Sequence, residues 1–259
     1  MPRKTIPQLR ALKGQTPIVV ATAYDATLAR LVDAAVDAIL VGDSLGMVVA
    51  GLESTLKVSL DQMVYHCSMV ARGSKLAALI GDLPFLSYQL NPEQALVSAG
   101  RLVVEGGMMA VKLEGGSEYV PQIRKIVAAG IPVVGHLGMQ PQWLNAYGGY
   151  GKQAKDEAGA QLLLQDALAL EAAGVSLLVL ENIPHKLAKE VTAKLSIPTI
   201  GIGAGPDTDG QVQVWHDLMG MDPDFAPRHA VPFRALGKEV MEAAAEYAAA
   251  VRSGQFNSK

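Results

Sequence analysis

Four carboxylates and a lysine each stand at the end of a short apolar run, where a buried strand would hand its last residues to solvent. Ala-Ile-Leu-Val-Gly-Asp-Ser places Asp43 and Ser44, and Leu-Ile-Gly-Asp-Leu-Pro places Asp82. Val-Lys-Leu-Glu-Gly-Gly places Lys112 and Glu114, and Leu-Leu-Val-Leu-Glu-Asn places Glu181. Oxygen ligands such as Asp43, Asp82 and Glu114 suit a hard cation like Mg²⁺, which keeps several waters beside one or two carboxylates. One aspartate alone would be read as a helix N-cap, but three at equivalent places describe a site. Lys112 lies two residues before Glu114, so on a strand both point to one side. It can anchor a carboxylate, form a Schiff base or simply pair with Glu114. Carboxylate anchoring fits best, because a metal already offers a way to polarise a carbonyl. Glu181, partly withdrawn from water after an apolar run, suits general-base work. His136, in Val-Val-Gly-His-Leu-Gly, is read equally well as a hydrogen-bonded core residue or a site residue.

Elements must exist to carry these groups. Strand-like runs fall near 17–24, 38–43, 76–82, 109–114, 131–137, 176–181, 198–203 and 211–216. The last, Gln-Val-Gln-Val-Trp-His, is polar and the weakest. Helical spacing fills 26–36, 59–72, 92–105, 117–129, 157–173 and 185–195, with a final helix over 235–251. Ser59 with Gln62 forms a capping-box pattern, Asn91-Pro92 reads as cap and first turn, and Gly106, Gly130 and Gly174 mark helix ends. Eight strands alternating with helices predict an α/β fold, a (β/α)₈ TIM barrel, with an open doubly wound sheet as the alternative. Its carboxyl ends would form a rim bearing one polar group per strand. The 259 residues suit one catalytic domain over 1–259. The irregular stretch 138–156 is a candidate lid.

Composition narrows the function. A formal charge of −3 with scattered Lys and Arg gives no basic footprint for nucleic acid or a membrane surface. The single cysteine, Cys67, excludes an internal disulfide and is read as a buried structural thiol. With no export-type hydrophobic start, a cytoplasmic location is expected. Ile200-Gly-Ile-Gly-Ala-Gly205 is a poor dinucleotide fingerprint, since Pro206-Asp207 follows where a helix should begin. A glycine-rich turn admitting a ligand close to the backbone is the better expectation.

Taken in order, Thr22–Asp25, Val41–Met47, Ser54-Thr55, Gly81–Phe85, Val111–Gly116, Gly135–Gly138, Asp156–Gly159, Leu180-Glu181, Ile200–Gly205, Asp209–Gln211 and His216-Asp217 resemble the ketopantoate (3-methyl-2-oxobutanoate) hydroxymethyltransferase family. The resemblance runs over nearly the whole chain. It implies a barrel of the phosphoenolpyruvate mutase/isocitrate lyase type and one Mg²⁺ per subunit at Asp43, Asp82 and Glu114. It further implies 2-oxo acid binding by Asp43, Ser44, Asp82 and Lys112, His136 in support, and Glu181 as proton acceptor. The implied reaction passes through a Mg²⁺-stabilised enolate that takes a one-carbon unit from the co-substrate 5,10-methylenetetrahydrofolate. A homodecamer, built as a pentamer of dimers, is implied as well. Asn182 stands where the family commonly has cysteine, and 148–157 departs from its usual Tyr-Lys-Val-Gln-Gly run. A related Mg²⁺-dependent 2-oxo acid C–C lyase is the alternative, although such enzymes usually carry a cysteine-bearing lid that this chain lacks. A non-catalytic barrel would have to keep five polar rim groups without use.

Overall fold

The protein is described by a computed structural model over residues 2–228 and 230–256. Its strands are β1 Ile18–Thr22, β2 Ala38–Val41, β3 Ala78–Asp82, β4 Ala110–Glu114, β5 Val133–Gly138, β6 Leu177–Glu181, β7 Thr199–Ile202 and β8 Gly210–Gln213. They close in chain order into an eight-stranded parallel barrel, not an open sheet. The ring is joined where the Ile18 amide donates to the Asp209 carbonyl at 2.9 Å. The polar 211–216 run forms β8 only through Gln213; Trp215–Leu218 turns into a short helix instead.

Strand register explains how the chain can bury a core and display polar groups at once. Leu40 pairs with Ile80, Ile80 with Ala110, and Val134 with Leu177. These residues share the barrel interior with Ile18, Val20, Val179, Ile200 and Val212. The side-chain period of two carries each inward face forward. Two residues beyond Ile80 comes Asp82, beyond Ala110 come Lys112 and Glu114, and beyond Val134 comes His136. The residues of opposite parity, such as Ile39, Leu79, Val111, Leu113 and Leu178, are also buried, as expected of a sheet covered by helices.

The helices start and stop for local reasons. Ser59 and Gln62 form a reciprocal capping box before Leu60–Gly73, and the Asn91 side chain accepts from the Gln94 amide before Pro92–Val104. Gly130 and Gly174 take φ of +85° and +101° just past Val120–Ala128 and Glu157–Ala172, as a left-handed C-terminal cap requires. After Pro92–Val104 it is Gly107, not Gly106, that turns left-handed. Among the helices outside the expected set is the short Ile6–Arg10, held by a Thr5–Gln8 capping box. It drives Ile6 and Leu9 into the amino-terminal end of the barrel.

The first compact unit ends at Val212 and a second starts at Gln213. Within the second, the amides of Phe233 and Gly237 donate to the carbonyls of Leu218 and Gly220, fixing the start of helix Leu236–Arg252. Gly237 is required there, because a Cβ would fall 2.2 Å from the Met221 carbonyl. Among the described residues, no helix is long and apolar enough to cross a membrane.

Candidate active site at the carboxyl end of the barrel

The inward faces of β3 to β6 deliver their last residues to one buried cluster. The Lys112 ammonium lies 2.8 Å from Asp82 Oδ1, 3.8 Å from Glu114 Oε1 and 3.3 Å from His136 Nδ1. His136 Nδ1 is 3.4 Å from Glu114 Oε1, and its Nε2 is 3.3 Å from Glu181 Oε2. Asp43, just past β2, approaches through its backbone, whose N–H donates to Asp82 Oδ2 at 3.3 Å. Ser44 folds back over Gly42. A Cβ at position 42 would fall 2.8 Å from Ser44 Oγ and 3.9 Å from Asp82 Oδ2. The hydroxyl of the buried Tyr24 holds Ser44 Oγ at 2.9 Å. All seven residues singled out in the sequence therefore gather at one end of the barrel. Asp43, Asp82, Lys112, Glu114 and His136 are buried, whereas the Glu181 side chain retains 16 % of its exposure.

The cluster is short of positive charge: four carboxyl groups face one ammonium and one imidazole. Burial, with Asp82 and Glu114 nearby, holds the Asp43 carboxyl well above the usual carboxylate range. Burial also raises Asp82, against the pull of Lys112. Glu114 goes the other way, because the His136 hydrogen bond and the Lys112 charge outweigh its burial. Burial opposes the charge on Lys112, but Asp82, Glu114 and Asp43 together push its pKa up. His136 is pushed up to about 9, since the Glu114 and Glu181 carboxylates beside it outweigh burial and the Lys112 charge. Such a raised histidine stabilises the fold fully below its unfolded value near 6.5, and that stability drains away as pH rises through about 9. Urea melts of cation-free protein should therefore show stability falling between about pH 7 and 9.5, with a shallower fall in His136→Asn. Equal slopes in the two proteins would refute this.

Gln142 and Tyr88 join the site without a sequence signal. Gln142, from the turn after β5, donates through Nε2 to Asp43 Oδ2 and to the Leu83 carbonyl, both at 2.9 Å. Its backbone N–H donates to Glu114 Oε2 at 3.0 Å. The Tyr88 hydroxyl reaches Gln142 Oε1 at 2.8 Å and the Glu114 carbonyl at 2.9 Å. Both side chains are buried. Among the described residues, no three His, Cys, Asp or Glu side chains converge on one point as a ready cation cage. Lys112 and Gln142 occupy the space between the carboxylates.

The 148–156 segment crosses the mouth. Asn182, next to Glu181, donates from Nδ2 to the Tyr150 carbonyl at 3.2 Å and accepts from the Gln153 amide at 3.0 Å. Its φ of +45° is a conformation asparagine tolerates better than most residues. The Tyr150 hydroxyl reaches Met47 Sδ at 3.7 Å on the β2 side. β2 and β6 stand opposite in an eight-stranded ring, so Tyr150 straps it. Gly138 lets β5 and β6 approach beneath that strap: its φ is +96°, and a Cβ would sit 2.2 Å from the Glu181 carbonyl.

One expectation changes and another holds. The glycine-rich turn after β7 makes room for the protein itself, because a Cβ at Gly201 would strike Thr208 and one at Gly205 the His185 ring. Cys67 is buried beside Gly81 and Gly106, and burial followed by the Asp82 charge pushes its thiol up, as suits an inert structural residue.

Comparison with known proteins adds independent information. The family model described as ketopantoate hydroxymethyltransferase matches residues 3–259. A 3-methyl-2-oxobutanoate hydroxymethyltransferase of Anaeromyxobacter dehalogenans is 54 % identical, over 98 % of this chain and 86 % of its own. That of Dehalococcoides mccartyi is 49 % identical, over 98 % and 92 %. Among solved structures, 2,3-dimethylmalate lyase, of the PEP mutase/isocitrate lyase superfamily, aligns with a TM-score of 0.64 at 20 % identity, covering 97 % of this chain and 89 % of the lyase. Phosphonopyruvate hydrolase, solved with oxalate and Mg²⁺, aligns at 0.66 and 14 %, covering 98 % and 89 %. These two likenesses concern the fold.

Proposed function

This chain belongs to the ketopantoate hydroxymethyltransferase family, and on that premise we propose how its barrel mouth serves the family's reaction. The chain is an enzyme that transfers a hydroxymethyl group to 3-methyl-2-oxobutanoate and so forms ketopantoate. The observation that carries the assignment of roles is the continuous cluster from Asp82 through Lys112 and His136 to Glu181.

The donor set fits a hard divalent cation. Three carboxylates from β2, β3 and β4 lie in a pocket with two more acidic than basic groups, and Mg²⁺ needs only one or two of them with water completing its shell. Asp43, Asp82 and Glu114 would hold it, one ion per subunit. When bound, it would polarise the keto group of the 2-oxo acid. The chain's own groups do the rest. Lys112 carries three N–H donors and can keep Asp82 while offering another to the substrate carboxylate. Ser44, steadied by Tyr24, offers a further donor, and Asp43 and Asp82 line the same pocket. Glu181 removes the C3 proton. His136 Nε2, 3.3 Å from Oε2, sits beside one carboxylate oxygen of Glu181, which leaves Oε1 to receive the proton. Water cleaves the C–N bonds of the methylene carbon of 5,10-methylenetetrahydrofolate and releases tetrahydrofolate. The C3 carbanion attacks the resulting formaldehyde-level carbon, and the new C–C bond forms as its C=O opens. The water-derived oxygen takes back the proton held by Glu181 and becomes the hydroxyl of the hydroxymethyl group. Tyr150 and the 148–156 strap shield the carbanion from bulk water.

The lyase alternative has no observation in its favour. We further propose one catalytic domain over 1–259, a cytoplasmic location and assembly as a decamer. The family match over 3–259 supports the first.

Proton NMR of 3-methyl-2-oxobutanoate in D₂O tests the roles. The C3 proton signal should vanish only with enzyme and Mg²⁺ together, and ketopantoate should appear when 5,10-methylenetetrahydrofolate is added. Exchange without product would retain the base and overturn the folate donor. Absence of exchange with the cation bound would overturn the assigned base or substrate.

A further inference from the structure

We propose that Gln142 is a positioning residue for cation binding, acting through Asp43 and Glu114; this rests on the assignment of those two carboxylates to the metal. The geometry is specific to its side chain. Nε2 faces two acceptors, Asp43 Oδ2 and the Leu83 carbonyl, both at 2.9 Å. Oε1 faces two donors, the Tyr88 hydroxyl at 2.8 Å and Gln89 Nε2 at 3.2 Å. A flipped amide would set its oxygen against the Leu83 carbonyl and Asp43 Oδ2, so the orientation with Nε2 on those two acceptors is the one that satisfies the network. The amide is thereby locked, and with it the rotation of the Asp43 carboxylate. Oδ2 is held, which leaves Oδ1 as the oxygen to offer a cation.

Its main chain does a second task. The Gln142 N–H fixes Glu114 Oε2 at 3.0 Å, so one residue sets carboxylates on either side of Asp82. Neutrality matters here. A lysine or arginine at this position would hold Asp43 equally well, but its charge would compete with the cation; an amide gives the hydrogen bonds and adds no charge. Groups that orient ligands in this way typically change metal affinity about 10–100-fold when removed.

The test is titration of the cation-free protein with Mn²⁺, followed by electron paramagnetic resonance, with thermal melts of the same samples. Gln142→Met keeps the bulk and the backbone N–H but removes the side-chain bonds. Tyr88→Phe keeps Gln142 and every carboxylate but removes the hydroxyl that locks the amide. The expected result is a Mn²⁺ dissociation constant raised about 10–100-fold in Gln142→Met, and raised less but in the same direction in Tyr88→Phe. The bound-Mn²⁺ spectrum should alter in both variants, and both cation-free proteins should remain folded. Should Gln142→Met fail to fold, Tyr88→Phe carries the test alone. Wild-type affinity in every variant that folds would overturn the proposal. A wild-type protein that binds no Mn²⁺ would overturn the metal assignment itself and Gln142 with it, a distinguishable result.

Discussion

Glu181→Gln is expected to lower kcat by about 10²–10⁴-fold, the usual worth of a positioned general base. The substitution conserves shape and stays at the wetter end of the cluster, where the side chain is 16 % exposed, so the melting temperature should move little. KM for the 2-oxo acid should hold near its wild-type value, because Lys112 and the carboxylates of β2 to β4 are untouched. Exchange of the C3 proton with D₂O should fall in step with turnover. If exchange persists at the wild-type rate while product formation drops, the base lies elsewhere.

The second large effect is on stability. In Lys112→Met, the buried carboxylates lose the one ammonium that contacts them among the described residues, 2.8 Å from Asp82 and 3.8 Å from Glu114. Breaking one side of a buried ion pair costs about 3–5 kcal/mol, because the remaining charge stays desolvated. For a chain of this size, a loss of that order lowers the melting temperature by roughly 6–20 °C. Binding of the 2-oxo acid should weaken in parallel. Added Mg²⁺ or Mn²⁺ should restore more of the lost melting temperature to the variant than it adds to the wild type, since the unbalanced negative charge has grown. A variant that melts with the wild type would show that the carboxylates are discharged in the folded protein and that Lys112 balances nothing.

The legible parts of this molecule are those with a period. Strands that alternate inside and outside, and end in an acid or a lysine, state both their register and the side on which Asp82, Lys112, Glu114, His136 and Glu181 must lie. Caps such as Ser59 and Asn91 are local and were equally readable. What escaped has no period. Gln142 is a neutral amide in an irregular turn, Tyr88 is an aromatic like any core residue, and each acquires meaning only from partners on other strands. The helix Ile6–Arg10 is too short to show an apolar face. The glycines after β7 misled for a similar reason: a glycine announces space without saying whether ligand or protein fills it. The match to a known family supplied what residue types could not, the identity of the 2-oxo acid.

The helix that carries Leu9 and Ile6 into the amino-terminal end of the barrel makes the active site a cul-de-sac. With that end filled, among the described residues, by stacked aliphatic side chains, the carboxyl-end rim is the expected route in for 3-methyl-2-oxobutanoate and out for ketopantoate. On the proposed anchoring role of Lys112, arrival and departure would be mutually exclusive there. Accumulating ketopantoate is therefore expected to inhibit competitively against the small substrate, which initial rates measured at several product concentrations would check.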